Sequence, residues 1–363
     1  MKVQLEKRTD QNRITGILIP LISFLLALVF CAFILILFGI NPIQVYTVMV
    51  KGSLGSSYAI TETLVKAIPL MLTGLGVSIA FHMHFWNIGA EGQLAMGGIA
   101  AAYVALFLQD VIPPALMLPA MFLAGFSAGA MWGLIPAGLK AILGVNEILT
   151  TLMMNYIAIL LVEYLYLGPW RDPKGFGFPG TAQFPPAAWL PRLTGRVHYG
   201  IFFAMAGAFL LWFILKHTKR GYEIRLIGEN PKAARYSGIN IAGNIIFVML
   251  LSGGLSGIAG MAEVSGISRR LYTGLTVGYG YTAIIVAWLA NLNPWGILMV
   301  AFLMGALLVG GDQIQIAMQT PAAVADILQG AILFFMLGGS IFNHYKIRIT
   351  HKRSKNSGGN DHE

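Results

Sequence analysis

The chain has 363 residues, of which 56% are hydrophobic and 11% are charged, and its formal net charge is +9. Soluble domains carry about 25% charged residues, so this composition excludes an ordinary soluble enzyme and indicates an integral membrane protein. The excess of positive charge is interpreted as a signal of membrane topology, and no nucleic-acid partner is predicted.

The first long apolar run covers residues 14–40 and contains no charged residue. Crossing a bilayer takes about 20 helical residues, whereas the core of a signal peptide has roughly 7–15. The run therefore predicts a retained first transmembrane helix. Cys31, the only cysteine of the chain, lies within it, so no disulfide can form inside one chain.

The apolar runs together predict an all-α, polytopic membrane protein with about ten transmembrane helices. The predicted spans are 14–40, 66–84, 93–109, 113–139, 146–168, 199–215, 243–264, 280–292, 294–310 and 323–343. With the N-terminus in the cytoplasm, 16 of the 24 Lys and Arg residues fall inside and 8 fall outside. This excess favours cytoplasmic N- and C-termini.

The polar segments give the domain organisation. Residues 1–13 form a predicted cytoplasmic segment, 14–343 the membrane domain, and 344–363 a cytoplasmic polar tail that is expected to be disordered from Ile347. Within the membrane domain, 169–198 is a predicted external loop rich in Pro and Gly, and 216–241 is a cytoplasmic loop. The sequence has no Gly-Lys dipeptide for a P-loop, so the chain does not hydrolyse ATP by itself, and no cofactor is predicted.

The stretch "FWNIGAEGQL", residues 85–94, interrupts two apolar runs with polar residues and glycines. Asn87 and Gln93 offer both donors and acceptors, and Glu91 is an ionisable group inside the membrane domain. Three interpretations stay open: a turn in which Glu91 favours the start of a helix, a broken helix that lines a solute pathway, or an inner gate that contacts an ATPase.

Other polar and aromatic residues are weaker candidates for the pathway. Asn155, with Thr151 one turn earlier, either lines a pathway or forms interhelical hydrogen bonds. Stacking on a flat ring or anchoring at the membrane interface would suit the aromatic candidates, which are Phe85, Trp86, Tyr279 and Tyr281. Glu263 ends the seventh span among glycines that indicate close helix packing. His82 and His84 point to opposite sides of a helix, so no metal site is predicted.

The cytoplasmic loop contains the string "GENPKAARYSGIN", which predicts one short helix. Asn230-Pro231 is a typical helix start, since a proline in the first helical position loses no hydrogen bond. Gly238 is a typical helix stop. The alternative is an ordinary basic cytoplasmic loop with a single helical turn and no specific function.

This string resembles the coupling loop of permease subunits in bacterial ABC importers for simple sugars, branched-chain amino acids and nucleosides. The matching positions are Gly228, Asn230, Ala233, Ala234, Ser237 and Gly238, and Pro231, Arg235 and Tyr236 lie among them. Four further strings support the resemblance, which extends over roughly residues 65–340: "NIGAEGQL", "NEILTTLMMNYIA", "LSGGLSGIAGM" and "LNPWGILMVAFLMGALLVGGD".

The resemblance implies two halves of inverted topology, a location in the bacterial cytoplasmic membrane and a short helix that docks on a separate ATPase subunit. It also implies a second permease, either a paralogue or another copy, and an external lipid-anchored substrate-binding protein. Nucleosides are the implied solute, with simple sugars next and branched-chain amino acids third. The rival hypotheses are a secondary transporter driven through Glu91 or Glu263 and a membrane enzyme that uses Glu91 as general acid or base.

Overall fold

The structure is a computed structural model that describes residues 2–7, 13–175 and 177–350. Its helices are α1 (Arg13–Leu37), α2 (Pro42–Leu54), α3 (Ser57–His82), α4 (Ala90–Phe107), α5 (Pro114–Leu143), α6 (Glu147–Leu167), α7 (Gly200–His217), α8 (Lys219–Glu229), α9 (Pro231–Tyr236), α10 (Ile241–Glu263), α11 (Tyr279–Leu289), α12 (Pro294–Met318) and α13 (Ala322–His344). Its strands are β1 (Lys2–Lys7), β2 (Arg192–Thr194), β3 (Val197–His198) and β4 (Tyr345–Thr350). The all-α class is confirmed for the described residues.

Each predicted span overlaps one of these helices. Seven helical stretches of the described chain are long and apolar enough to cross a membrane: α3, α4, α5, α6, α7, α10 extended to Ser268, and α12. Three shorter apolar stretches, Ile22–Leu37, Thr273–Leu289 and Asp326–Gly339, correspond to the other predicted spans. A count of ten crossings and their orientation stay predictions.

Three local predictions were wrong. The segment 216–241 was predicted as a loop with one short helix, but α8 precedes α9 there; its charged residues hide α8 from a search for apolar runs. The second span begins at Ser57, nine residues before the predicted 66, because Ser56 caps α3 by accepting a hydrogen bond from the Ala59 N–H at 3.0 Å. Residues 347–350, expected to be disordered, belong to β4; the rest of the tail, 351–363, lies outside the described residues.

The chain divides into two compact units, of which the first combines Met1–Pro42 with Asp326–Glu363. In this unit β1 pairs antiparallel with β4, so that the Cα of Lys2 lies opposite that of Thr350. Helices α1 and α13 pack through Phe30 and Phe335, whose ring centroids are 5.3 Å apart. This long-range pairing explains why a purely local reading of the tail failed.

The second unit covers Ile43–Ala325 and contains the candidate sites. Its central helix is α3, which is buried along most of its length and packs against α7, α10, α11 and α12. The predicted close packing of α10 through glycine is confirmed. A Cβ atom on Gly257 would collide with the Gly125 carbonyl of α5, and one on Gly260 with the Leu94 carbonyl of α4. Small residues let these backbones touch.

The two ends of α3 meet different polar segments. At its C-terminal end, Gly228 of α8 lies directly against the carbonyl of His82. At its N-terminal end, Gly195 in the β2–β3 turn lies against Thr61, and Arg196 pairs with Glu62 at 2.9 Å. With 26 residues, α3 is about 39 Å long, so α8 and the β2–β3 hairpin lie at opposite ends of the helix bundle.

Candidate functional site

Residues 83–89 connect α3 to α4 without helical structure; Met83, Phe85, Asn87 and Gly89 are buried, whereas His84 is exposed. Helix α3 stops at His82, and His84 takes a left-handed conformation with φ of 53°. The Asn87 side chain then accepts a hydrogen bond from the Gly89 N–H at 2.9 Å, which is the local turn that asparagine favours. The predicted break in the helical pattern is therefore present up to Gly89, whereas Glu91 and Gln93 already belong to α4.

Asn87 and Gln93 bond to each other across this break. The Asn87 Nδ2 group donates to Gln93 Oε1 at 3.1 Å and to Ser252 Oγ of α10 at 2.9 Å. In return, Gln93 Nε2 donates to Asn87 Oδ1 at 3.2 Å. Because neither amide is accessible to solvent, these bonds replace the water that each group would otherwise need.

Asn155 joins α6 to the same region. Its Oδ1 accepts from the Gly92 N–H at 2.8 Å, and its Nδ2 donates to the Ile88 carbonyl at 2.8 Å and to Tyr281 Oη at 3.2 Å. Thr151 Oγ1 accepts from the Ile88 N–H at 3.3 Å. Of the two interpretations of this polar face, the structure therefore shows interhelical hydrogen bonding.

The carboxylate of Glu91 caps a helix other than its own. Glu91 is 1% exposed, and its two oxygens accept hydrogen bonds from the backbone N–H groups of Gly278 at 2.8 Å and Gly280 at 2.5 Å. These groups lie at the start of α11, where helix N–H donors have no partner within the helix. A negative charge there is also favoured by the helix dipole.

We call these residues the paired network: Asn87, Glu91, Gln93, Thr151, Asn155, Ser252 and Tyr281. It brings together five of the eight predicted pathway residues and connects α4 to α6, α10 and α11. Their hydrogen-bonding groups are engaged with protein, so the arrangement described here holds helices together. A role in contacting solute stays a prediction.

The other three aromatic candidates, Phe85, Trp86 and Tyr279, lie outside the paired network. Phe85 is buried, and Trp86 stacks on Trp288 with ring centroids 5.8 Å apart and planes inclined by 19°. Tyr279 is buried and lies within electrostatic range of Glu263. Sequence reasoning missed Trp288, which a periodicity search cannot distinguish from other apolar positions of α11.

Five buried side-chain atoms have no hydrogen-bond partner among the described residues, and their residues lie at the hairpin end of the bundle. We call these residues the unpaired cluster, and the atoms are Glu62 Oε1, His198 Nε2, Glu263 Oε2, Ser265 Oγ and Arg269 Nε. Most buried polar groups in proteins are bonded, so a concentration of exceptions requires an explanation.

Contacts of the loop 168–199 bring the unpaired cluster together. The Leu190 N–H donates to the Ser265 carbonyl at 3.2 Å, and the His198 ring lies against Gly266. The Arg269 guanidinium lies 3.8 Å from the centroid of the Trp189 ring. Of these residues, sequence reasoning identified only Glu263.

His198 is held in its neutral form. Its Nδ1 accepts a hydrogen bond from the Gly200 N–H at 3.2 Å, which assigns the ring proton to Nε2. Burial of the imidazole, helped by the nearby charge of Arg192, lowers the pKa of His198 to about 4. The described residues hold no group of three His, Cys, Asp or Glu side chains that could bind a metal ion.

The predicted short helix is present as α9. Asn230 caps it by accepting from the N–H groups of Lys232 and Ala233, both at 3.1 Å, and Pro231 occupies its first position. Ala234 is buried, whereas Tyr236 is 94% exposed.

The rest of the predicted coupling segment surrounds this helix. Gly238 has a φ of 74°, which is the expected helix stop, and Gly228 anchors α8 on α3. The exposed positions of the segment include Arg235, Ser237 and Gly238. The segment thus presents a surface at the end of the bundle opposite to the unpaired cluster.

Comparison with known proteins places this arrangement among transport proteins. Residues 59–337 match the family described as "Branched-chain amino acid transport system / permease component". The chain is 35% identical to a glucose ABC transporter permease of Haloferax volcanii, over 93% of this chain and 91% of that one. It is 33% identical to a guanosine ABC transporter permease of Bacillus subtilis, over 96% and 99%. It is 30% identical to a nucleoside ABC transporter permease of Lactococcus lactis, over 90% and 92%.

Proposed function

This chain belongs to the family of permease components of branched-chain amino acid transport systems, and from that premise we propose that it carries nucleosides through the membrane. As a permease component of an ABC importer, it is not an enzyme. The hypothesis of a membrane enzyme also conflicts with the geometry of Glu91, whose two oxygens are occupied by backbone N–H groups.

Nucleosides are the proposed solute mainly because this chain is similar to the guanosine permease of Bacillus subtilis. The guanosine permease aligns with nearly the whole of both chains, at 33% identity. The nucleoside permease of Lactococcus lactis supports the same choice. Simple sugars are the second candidate, because the glucose permease is 35% identical over 93% of this chain.

We propose that α9 docks on a separate ATPase subunit from the cytoplasmic side. Its small residue Ala233 and its exposed residue Tyr236 form a surface that a groove could receive. Because Gly228 of the adjacent α8 lies against the end of α3, movement of α9 would be transmitted to the most buried helix of the unit. Rigid displacement of packed helices is how such transitions spread.

Replacement of Ala233 tests this docking. We expect Ala233→Arg to abolish solute-stimulated ATP hydrolysis in the assembled complex, since a large cation would obstruct the groove. The level of the variant in the membrane should match the wild type, and an exposed substitution such as Tyr164→Phe on α6 is the control. Unchanged hydrolysis would contradict the docking role.

Docking of α9 on an ATPase at the cytoplasmic side also fixes the orientation of the rest of the proposed complex. The hairpin end would face outwards, towards a lipid-anchored binding protein that delivers the solute. A second permease, either a paralogue or another copy of this chain, would complete the pathway, and the complex would lie in a bacterial cytoplasmic membrane. The excess of Lys and Arg on predicted cytoplasmic segments supports this orientation.

Uptake of radiolabelled guanosine tests the solute class. Cells that lack other nucleoside carriers are compared with and without this gene, with excess unlabelled glucose as competitor. Gene-dependent uptake that glucose does not reduce is the expected result. An absence of gene-dependent guanosine uptake, together with gene-dependent glucose uptake, would replace nucleosides by sugars and leave the family membership unchanged.

A further inference from the structure

We propose that Glu263 of the unpaired cluster binds the vicinal hydroxyl groups of the transported solute at the hairpin end of the pathway. This inference rests on the proposed function, because it assumes that the solute carries such a pair, as nucleosides and hexoses both do.

The first observation is the state of the carboxylate itself. Glu263 is 5% exposed, and its Oε2 has no hydrogen-bond partner among the described residues. No described cation lies within the 4.0 Å of an ion pair with it. A carboxylate in a membrane helix that lacks a partner is costly, and such groups commonly mark a solute or ion pathway.

The second observation is the backbone beside it. Residues Val264–Ser268 form a π-helical turn directly after Glu263, and Arg269 ends it in a left-handed conformation with φ of 53°. Turns of this type are rare and occur frequently at functional sites. The loop holds this turn in place, because the Leu190 N–H bonds to the Ser265 carbonyl at 3.2 Å and the Phe184 N–H to the Arg269 carbonyl at 2.8 Å.

The surrounding charges select the chemistry of the ligand. Lys66 of α3 and Arg196 of the hairpin are the cations whose charges act on Glu263, and Arg196 itself bonds to Glu62 at 2.9 Å. These positive charges would repel a cationic ligand. A neutral ligand with hydroxyl donors fits better, since the two oxygens of a carboxylate can accept two neighbouring O–H groups.

Other atoms of the unpaired cluster offer further hydrogen-bonding groups to the same ligand. Ser265 Oγ offers a donor and an acceptor, and His198 Nε2 offers a donor, so polar groups other than Glu263 are also available to a polyhydroxylated solute. Tyr272 and Tyr279 lie within electrostatic range of Glu263. Vicinal hydroxyl groups are also what glucose and guanosine, the solutes named for two relatives, have in common.

The experiment compares guanosine with 2′,3′-dideoxyguanosine as competitors for radiolabelled guanosine uptake by the complete importer. For the wild type we expect guanosine to compete at least tenfold better, which corresponds to 1.4 kcal/mol. Glu263→Gln keeps the shape of the side chain but removes the charge and one acceptor, so we expect the preference to fall below about threefold, since hydrogen bonds to charged groups are the stronger ones.

Two further variants make the result specific. Glu163→Gln introduces the same chemical change at an exposed position of α6 and should keep the wild-type preference. Lys66→Met removes a cation beside the site and should reduce the preference less than Glu263→Gln does; it carries the test if Glu263→Gln is absent from the membrane. Membrane levels and ATP hydrolysis without solute are measured for each variant.

The outcomes separate this inference from the proposed function. An equal preference in wild type and Glu263→Gln, or no preference in the wild type, would overturn the hydroxyl site while nucleoside transport stands. If the wild type imports glucose and not guanosine, the same comparison is made with glucose and its 2,3-dideoxy analogue. Import of neither solute would overturn both proposals.

Discussion

Glu91 and Glu263 are the same residue type, lie in membrane helices of one unit and are 1% and 5% exposed, yet their surroundings differ completely. Glu91 accepts hydrogen bonds from two backbone N–H groups, whereas Glu263 Oε2 accepts none from the described residues. Burial by itself therefore does not indicate what an intramembrane carboxylate does. The supply of donors around it does.

The same contrast holds for the two regions in which these residues lie. In the paired network, polar side chains of α4, α6, α10 and α11 bond to one another, to Asn87 or to backbone groups, which is the arrangement that fixes helices in one position. In the unpaired cluster, five buried atoms have no partner in the described part of the chain, and a buried group without a partner costs about 1–3 kcal/mol. This cost is the reason for the proposal that the cluster binds solute.

The largest effect on stability is expected at Glu91, and it tests the difference between the two carboxylates directly. Glu91→Ala leaves the buried N–H of Gly280 and the partly buried N–H of Gly278, at the start of α11, without partners, so we expect the free energy of unfolding to fall by about 2–5 kcal/mol. The thermal unfolding temperature of the purified permease in detergent measures this. Glu263→Ala is the matched control and should cost far less, because Glu263 Oε2 has no hydrogen-bond partner in the described chain to lose. Equal losses would mean that the two carboxylates do not differ as the structure indicates.

A second test addresses the junction of α6 with the broken segment. Asn155→Leu removes the partners of the Gly92 N–H and the Ile88 carbonyl, and we expect a loss of about 2–4 kcal/mol. Met153→Leu, at an exposed position of the same helix and outside the network, is the control and should leave the stability unchanged. A variant that is as stable as the wild type but fails to transport would instead support a pathway role for Asn155.

A third test uses the pH dependence of His198. The folded pKa of about 4 lies below the ordinary value of about 6.5, so between these pH values the unfolded chain binds more protons than the folded one. Stability should therefore fall as the pH is lowered, by about 1.5 kcal/mol between pH 6.5 and pH 5. Unfolding temperatures across this range measure it, and His198→Gln should remove this part of the slope. The same slope in the variant would show that other groups cause it.

The smallest effect is expected at Glu263. Glu263 Oε2 has no hydrogen-bond partner in the part of the chain that the structure describes. Glu263→Gln should therefore lower the free energy of unfolding by less than about 0.5 kcal/mol, or raise it. Glu91→Gln, which also keeps the side-chain shape, should lose more, since only one of its side-chain atoms can accept. A loss at Glu263→Gln as large as at Glu91→Gln would reveal a structural partner for Glu263.

Much of the fold follows from local sequence. The predicted spans overlap helices because an uncharged run of membrane length has few alternatives to a helix. Asn230, Pro231 and Gly238 defined α9 since caps and stops act over two or three residues. Helix α8 was not predicted, because its sequence, KRGYEIRLIGE, mixes charged and apolar residues and has no apolar run.

The candidate sites were only partly predictable. The polar residues of "FWNIGAEGQL" were identified because they interrupt an apolar sequence, but their hydrogen-bond partners could not be identified from the sequence. Glu91 bonds to residues 187 and 189 positions away, and Asn87 to Ser252, 165 positions away. His198 and Ser265 had no signal at all, since a lone histidine in a loop and a serine in a Gly-rich helix end are common.

By itself, then, the sequence determined the class of protein, the approximate positions of its membrane helices, the short helix α9 and the residues that interrupt the apolar pattern. These properties depend on composition and on neighbours within a few positions. The tertiary structure alone decided which buried polar groups have partners and which do not, because hydrogen bonds between helices depend on which distant segments the packing brings within about 3 Å of one another.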